Sequence, residues 1–501
     1  MGVIDSPGAD GWRRILDQER IAHRRVAGPE AKVITASGVP PAWGEAYVAT
    51  GGVLIVSGAS EVPFDGGTRH PLTAISGFWT PATNRWCAAP TLATLFGGDG
   101  EGTARQHEDR LVKYGSDPDR FPVVLTSKTG NGAFVYTGIP LTDLLMAYGD
   151  RLRPFSEFTP ITERVAAIDK ADVADTLLHM LRLAFRLAAL PMVRVARFPR
   201  GAPSVLILRV DVDGVYAPHT QELIDAAIHV ALPASFFINA ELCERYPGLP
   251  HSWPANFEVG QHARTHTLYQ EVRENYDNLL GGQAWVEQYV GRPVTSFVAP
   301  RGMWNASLGQ ALAQIGYRCS SDFGLDFDSL PFRADSGVLQ VPVHPYSPER
   351  ALRWAEEQGV EGPTATETRD MYLAVLKRQL SLGRPMHVYG HPEVLGAMAR
   401  EVVPAIAAFG RDRGVPALTL ASYAEFWERR EASTPRIRID RSGDRVAIEG
   451  VEAATYIDVE ISQAVQLRVG GEAAVRRPGL HRIPPHTDFS SRSRQVVRGG
   501  R

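Results

Sequence analysis

Five aspartate and histidine residues of this 501-residue chain are of types that could bind a metal ion and transfer protons. Asp211 and Asp213 follow a short apolar run that is typical of a buried strand, and α/β folds place their chemistry at such strand ends. His262 and His266 are four residues apart, so on one helical turn both can bind the same ion. An aspartate with two histidines leaves positions open for water and substrate on Zn²⁺, Co²⁺, Mn²⁺ or Fe²⁺. His391, after a later apolar run, is a candidate general acid.

Each of these residues also has an ordinary structural explanation. The two aspartates could simply begin a polar turn, and His391 could lie on a surface loop. With fourteen histidines in the chain, a pair four residues apart also arises by chance. The hydrolytic hypothesis therefore depends on all five side chains converging around one ion.

Alternating strand and helix patterns over residues 204–430 predict a distorted (β/α) barrel that would bring these side chains together. Polar residues collect where the predicted strands end. The preceding residues 1–165 also repeat strand–turn–helix patterns, which predicts a flavodoxin-like α/β domain, although residues 59–115 are predicted to be irregular. Three further segments are predicted as a helix with a linker, a small antiparallel β unit and a disordered tail: 166–203, 431–485 and 486–501.

Composition excludes several classes of function. A formal net charge of -3 gives no indication of nucleic-acid binding. The three cysteines are far apart in the sequence, which indicates neither a disulfide framework nor a thiolate cluster. The N-terminal residues lack the apolar core of a signal peptide, and no apolar run is long enough for an integral membrane segment. We therefore expect a soluble, cytoplasmic protein.

Six motifs along the predicted barrel resemble those of one known family. In order they are VDVDG, ASFFIN, EVGQHARTH, SFVAPRG, SSDF and VYGHPE. Together they resemble the polysaccharide deacetylase family, carbohydrate esterase family 4, whose barrel is the NodB-homology domain. The resemblance implies one divalent metal ion, with zinc expected first, and hydrolysis of an N-acetyl group on an amino sugar.

The resemblance also implies a role for each matching residue. Asp211 is expected to be the catalytic base. Asp213, His262 and His266 are expected to be the metal ligands. His391 is expected to be the general acid, with Asp322 orienting it.

The third motif departs from the family pattern. The family begins this motif with an arginine that pairs with the base, and this chain has Val298 there. Arg301 occupies the place whose backbone N–H is expected to face the oxyanion, and whether its side chain replaces the lost positive charge is left open by the sequence. Three residues are expected to line the substrate pocket: Pro300, Trp304 and His344.

The N-terminal region carries a second resemblance. Gly51 and Gly52 with VLIVSG, followed by FVYTGIPLTDLL, are similar to the class I glutamine-amidotransferase-like fold. That family places its catalytic cysteine in a Gly-x-Cys-x-Gly elbow, and none of Cys87, Cys243 and Cys319 has this setting. We expect a non-catalytic domain that has a structural role or binds a protein partner or a second copy of the chain.

Together these observations predict a metal-dependent N-deacetylase for a soluble, lipid-linked or nucleotide-linked glycan precursor. Two alternatives remain open. One is a ring-opening amidohydrolase of the allantoinase or cyclic-imidase kind on the same barrel. The other is a catalytically silent binding or assembly module, because the arginine that should pair with the base is missing at Val298.

Overall fold

The computed structural model divides the chain into two compact units. The first contains residues 1–147, 168–201 and 430–501, and the second contains residues 148–167 and 202–429. The structure describes residues 1–61, 69–97, 99–106, 121–154, 162–213, 217–245, 253–433, 435–439, 445–449, 455–469 and 472–484. The predicted disordered tail, 486–501, lies outside this part of the chain. None of the described helices is long and apolar enough to cross a lipid bilayer.

The first unit is built on a mixed seven-stranded sheet. Its strands, in spatial order, are Arg24–Val26, Gly2–Ile4, Val33–Ser37, Val53–Ser57, Gly132–Thr137, Val124–Thr129 and Gly100–Glu101. Neighbours among the first five strands are parallel, and Val124–Thr129 is antiparallel to the strands on both of its sides. The helices of this unit are Ala9–Glu19, Gly44–Ala49, Leu141–Met146 and Lys170–Leu187.

Part of the region predicted to be irregular is a second, antiparallel sheet. Its strands are Trp86–Phe96, Arg69–Trp79 and Thr103–Gln106. Buried residues such as Phe78, Cys87 and Leu95 anchor this sheet in the core of the first unit. The glycines and prolines of this region concealed its strands from sequence analysis, because they weaken the alternating pattern.

The C-terminal strands of the first unit form two small sheets. One contains Arg436–Ile439, Arg445–Glu449, Val465–Val469 and Glu472–Arg476. The other contains Met192–Val195, Ile457–Ile461 and Gly479–Ile483. Met192–Val195 lies within the predicted linker and pairs antiparallel with Ile457–Ile461. A partner more than 260 residues away along the sequence explains why local pattern did not predict this strand.

The second unit contains the predicted barrel. Its strands, in spatial order, are Phe332–Arg333, Leu339–Gln340, Cys319–Ser321, Ser296–Val298, Glu258–Gln261, Ala234–Ile238, Leu206–Val212 and Met386–Gly390. All neighbours are parallel except the first pair. The segment after Leu339–Gln340 reaches the opposite edge, where the His344 N–H donates to the His387 carbonyl at 3.0 Å. The carboxyl ends of the parallel strands therefore surround one cleft.

Helices cover the outside of this sheet and bury its apolar face. They are Ala217–His229, Ala240–Arg245, Val272–Val290, Ala306–Ile315, Pro348–Gln358, Ala365–Ser381, Pro392–Leu395, Ala399–Arg411 and Leu420–Ala432. A hairpin of Asp150–Pro154 and Thr162–Ala166 also belongs to this unit. The predicted domain boundary at residue 165 falls inside this hairpin. The hairpin belongs to the second unit because it contacts barrel residues such as Phe323.

Candidate active site

The strand Leu206–Val212 places two carboxylates at the cleft through simple alternation. Side chains along a strand point to opposite faces in turn. Leu206, Leu208, Val210 and Val212 pack in the core beneath the helices. Arg209 and Asp211 therefore share the inner face of the barrel, and Asp213 continues that row just past the strand end.

Arg209 and Asp211 form a buried, two-pronged ion pair. Arg209 Nε donates to Asp211 Oδ1 at 2.7 Å, and Nη2 donates to Oδ2 at 2.5 Å. The Arg209 side chain is fully buried and lies over the Tyr389 ring, 4.9 Å from its centroid. Its Nη1 donates to the carbonyl and the hydroxyl of Ser321. Burial acts to raise the pKa of Asp211, but the guanidinium outweighs it, so this pKa lies below its usual value.

The loop after Glu258–Gln261 carries His262 and His266. His262 is buried, and its Nδ1 lies 2.8 Å from the Val298 carbonyl oxygen. Because a carbonyl oxygen only accepts, Nδ1 carries the proton and the Nε2 lone pair faces the cleft. Asn278 on the following helix holds the loop, since its side chain accepts from the Thr265 N–H and hydroxyl. Local helix contacts thus orient the histidine pair.

Asp213, His262 and His266 converge on one point. Asp213 Oδ1 lies 2.9 Å from His262 Nε2, and Oδ2 lies 3.3 Å from His266 Nε2. The two Nε2 atoms are 3.2 Å apart, and one ligand atom from each of the three residues lies within 4.8 Å of the others. Asp213 Oδ1 is buried without a hydrogen-bond donor among the described residues. A carboxylate facing two imidazole nitrogens fits a divalent cation.

His391 faces the same carboxylate from the end of Met386–Gly390. Its Nε2 lies 3.4 Å from Asp213 Oδ2. On its other side, Nδ1 lies 3.2 Å from Glu349 Oε2, and the His391 backbone N–H donates to Glu349 Oε1 at 2.8 Å. Burial acts to lower the pKa of His391, but Glu349 and then Asp213 raise it well above its usual value. The two carboxylates therefore favour the protonated form of the imidazole.

The residue expected to orient His391 has other partners. Asp322 Oδ2 accepts from the Ser320 hydroxyl at 2.8 Å, and Oδ1 accepts from the Ala299 N–H at 3.2 Å. Burial raises the pKa of Asp322 to about 7. Glu349, and not Asp322, is the carboxylate near Nδ1 of His391. The prediction failed because it assigned Asp322 by motif, whereas Glu349 comes from a helix that the sequence analysis did not include.

The other predicted pocket residues are divided between the cleft and the core. Arg301 lines the cleft and has a left-handed backbone, with φ 58°. Its neighbour Pro300 is buried.

Two predicted substrate contacts lie away from the cleft lining. Trp304 packs against Leu325, Phe332 and Ala334. His344 is buried, and its Nδ1 lies 2.8 Å from Asp328 Oδ1. Both residues follow strand ends, as predicted, but the chain turns their side chains into the protein.

The cleft has a volume of about 790 Å³. Such a volume falls within the range of pockets that enclose one small-molecule ligand. Its lining combines the polar groups above with the apolar side chains of Phe323, Leu352, Tyr389 and Val394. A sugar presents both hydroxyl groups and apolar ring faces, and this mixed surface is able to contact both.

Sequence reasoning missed two residues at the centre of the site, Arg209 and Glu349. A signal existed for each of them. Arg209 interrupts an apolar strand two residues before Asp211, so alternation places the two side chains on one face. Glu349 follows Ser347 and Pro348, which is a helix N-terminus pattern. Neither signal, however, says which distant group the side chain meets.

This fold and site define a barrel domain with the groups that hydrolysis of an amide or ester bond requires. Residues 193–320 match the family model described as polysaccharide deacetylase. The family predicted from the motifs is thereby confirmed. Among curated protein sequences, none matches this chain.

Several solved structures are similar to the chain. One is a Mycobacterium smegmatis protein assigned as a polysaccharide deacetylase, with 18% identity and a TM-score of 0.39. The match covers 47% of this chain and 93% of that chain. A family 4 carbohydrate esterase from Streptomyces lividans in complex with acetate has 17% identity, 43% and 91% coverage, and a TM-score of 0.29. A CE4 family pseudoenzyme from Bacillus anthracis has 14% identity, 44% and 65% coverage, and a TM-score of 0.33.

Proposed function

We propose that this protein is a metal-dependent hydrolase that removes an N-acetyl group from an amino sugar or a sugar-containing metabolite. The observation that carries the proposal is the convergence of Asp213, His262 and His266 within 4.8 Å, with Asp211 and His391 lining the same cleft. Three residues would hold the ion, while a separate carboxylate and a separate imidazole stay available for proton transfer.

The donor set favours zinc, with cobalt, manganese or iron as alternatives. Bound by Asp213, His262 and His266, such an ion would supply Lewis-acid chemistry, polarising the acetamide carbonyl and acidifying the attacking water. The Val298 carbonyl fixes the tautomer of His262, so Nε2 would be the nitrogen that binds the ion.

The chain's own residues would move the protons. Asp211, kept ionised by Arg209, takes a proton from the attacking water. The backbone N–H of Arg301 donates to the carbonyl oxygen as negative charge develops there, and one such donor is worth about 3 kcal/mol. His391, kept protonated by Glu349, gives a proton to the departing nitrogen, which is otherwise a poor leaving group.

Arg209 also bears on the catalytically silent alternative. That alternative depended on the absence of an arginine at Val298. Arg209 lies on the same strand as Asp211 and not in the third motif. Its guanidinium contacts both Asp211 oxygens, so the proposed base has a positive partner. The ring-opening alternative needs the same groups, and substrates distinguish it from N-deacetylation.

The test is acetate release by the metal-loaded protein from N-acetylated sugars, chitooligosaccharides and nucleotide sugars. Allantoin and a cyclic imide are included in parallel. The proposal expects acetate from at least one sugar substrate and its loss in Asp211→Asn protein that still binds zinc. Opening of the cyclic substrates without acetate release would instead favour the ring-opening hydrolase. A zinc-loaded protein that cleaves none of these amides would overturn the proposal.

A further inference from the structure

The hairpin Asp150–Pro154 with Thr162–Ala166 forms part of the cleft, although it precedes the barrel in the sequence. It lies outside the residues 193–320 that match the family. The Ala166 N–H donates to the Phe323 carbonyl at 2.9 Å, and Val165 and Ala166 pack with Phe323 and Tyr389. Both of these aromatic residues line the cleft. The hairpin is therefore attached directly to the wall of the candidate active site.

Glu163 is the hairpin residue that reaches the cleft. It is 4% exposed, and its carboxylate forms an ion pair with the Arg350 guanidinium. Arg350 Nε lies 2.5 Å from Glu163 Oε2, and Nη2 donates to Oε1 at 3.0 Å. The Arg164 backbone N–H also donates to Oε1, at 2.8 Å. The hydrogen bond at Oε1 and the ion pair at Oε2 together hold the guanidinium beside the carboxylate.

Arg350 lies in the first turn of the helix Pro348–Gln358, directly after Glu349. Glu349 contacts His391 through both carboxylate oxygens, one towards the imidazole and one towards the backbone N–H. The Glu163–Arg350 pair thus holds the helix at the turn that carries the partner of the proposed acid. A displacement of this turn would move Glu349 and with it the His391 ring.

The rest of this helix has few other strong attachments. Its buried residues are Pro348, Ala351 and Ala355, which are small and remove little apolar surface from water. Most of its other residues are partly or fully exposed. A polar contact at its N-terminal turn therefore has a large share in determining its position.

We propose that Glu163 is a positioning residue for the general acid, acting through Arg350 and Glu349 on His391. This inference rests on the proposed hydrolase function. It assigns the hairpin a part in the reaction, which neither the motifs nor the family match includes.

The test compares two substrates that differ in their need for an acid. Hydrolysis of an N-acetyl sugar requires protonation of the leaving nitrogen, whereas 4-nitrophenyl acetate releases the stable 4-nitrophenolate anion without a proton donor. In Glu163→Gln protein we expect kcat for the amide to fall at least about tenfold relative to kcat for the ester. Zinc content should equal that of the unchanged protein, since Glu163 contacts none of the three proposed metal ligands among the described residues.

Two controls separate positioning from general damage. Arg164→Gln alters a half-exposed residue of the same hairpin that pairs with Asp150, and it should leave the amide-to-ester ratio as it was. The charge-exchanged double variant Glu163→Arg with Arg350→Glu should recover most of the ratio lost in Glu163→Gln. An amide-to-ester ratio in Glu163→Gln equal to that of the unchanged protein would overturn the inference while leaving the hydrolase proposal intact. If the unchanged protein cleaves no amide at all, the hydrolase proposal fails and this inference fails with it.

Discussion

Arg209 holds Asp211 by two N–H···O contacts of 2.7 and 2.5 Å, from a position two residues earlier on the same strand. The pair is almost completely buried, so the charges interact in a medium of low dielectric constant. Short sequence separation and strand alternation make this arrangement local and rigid. It supplies the positive partner that the third motif lacks at Val298, and it comes from Arg209 and not from Arg301.

Arg209→Met should abolish most turnover. Without the guanidinium, burial would raise the pKa of Asp211, and a protonated carboxyl is no base. We expect kcat to fall about 100-fold or more, with about 3–5 kcal/mol lost from the free energy of unfolding because a buried charge loses its partner. Steady-state kinetics at saturating zinc and urea unfolding measure the two effects.

Two further variants make this comparison specific. Arg209→Lys keeps the charge but not the two-pronged geometry, and should give an intermediate kcat. Arg301→Gln should cost less turnover than Arg209→Met. The opposite order would mean that Arg301 is the main partner of the base after all.

Truncating a proposed metal ligand and truncating His391 should have different effects on zinc binding and activity. His266→Ala removes a proposed ligand, so zinc affinity should fall more than about 100-fold and activity should be lost with the metal. His391→Ala should retain zinc and lose about 10²–10⁴ in kcat, as expected when a general acid is removed. Metal analysis after dialysis and calorimetric titration separate the two results. Full activity in zinc-free His266→Ala protein would contradict the assigned metal site.

Glu349 should matter more than Asp322 for the acid step. Glu349 raises the pKa of His391, so Glu349→Gln should lower that pKa and move the alkaline limb of the rate profile to lower pH. Asp322→Asn should have a smaller effect, because burial already raises the pKa of that carboxyl to about 7 and an amide keeps its shape. The pH dependence of kcat for both variants is the measurement. An unchanged alkaline limb in Glu349→Gln would count against its contact with the acid.

The first unit should lose stability in acid through one buried carboxylate. Glu19 is 1% exposed, and its oxygens lie 2.8 Å from Arg194 Nη1 and 2.6 Å from Arg197 Nη2. Burial opposes ionisation, but the arginines prevail and lower the pKa of Glu19 from 4.5 to about 2. Because the folded pKa is the lower one, the stabilisation is complete above about pH 4.5 and is lost as pH falls towards 2. It amounts to roughly 3 kcal/mol.

Urea unfolding at several pH values between 7 and 3 tests this expectation. Glu19→Gln should lose about 3–5 kcal/mol at pH 7 and show a flatter dependence on pH, because two buried guanidinium groups lose their counter-charge. Asp17→Asn, on the same helix but with a 61% exposed side chain, is the control and should change stability little. Equal stability of Glu19→Gln and the unchanged protein would refute the role of this pair.

Local patterns predicted the barrel region well because its elements have strong periodic signals. The apolar run before Asp211 and Asp213, interpreted as a buried strand, lies in Leu206–Val212, and the motif ASFFIN contains the strand Ala234–Ile238. Asp213, His262 and His266 lie within 4.8 Å of one another in the structure, and their assignment as metal ligands stays a prediction. By contrast, Met192–Val195 and the hairpin before residue 167 depend on distant partners, which no local pattern reveals.

The sequence by itself determined the order and type of the reactive groups: an aspartate pair at one strand end, two histidines after another strand and a third histidine after a late strand. Alternation along Leu206–Val212 also determined that Arg209 and Asp211 share a face. Only the tertiary structure decided that Glu349, and not Asp322, meets His391, and that Glu163 reaches the cleft. The physical reason is that such contacts join residues whose separation in space depends on how helices and hairpins pack around the barrel, and periodicity carries no information about that packing.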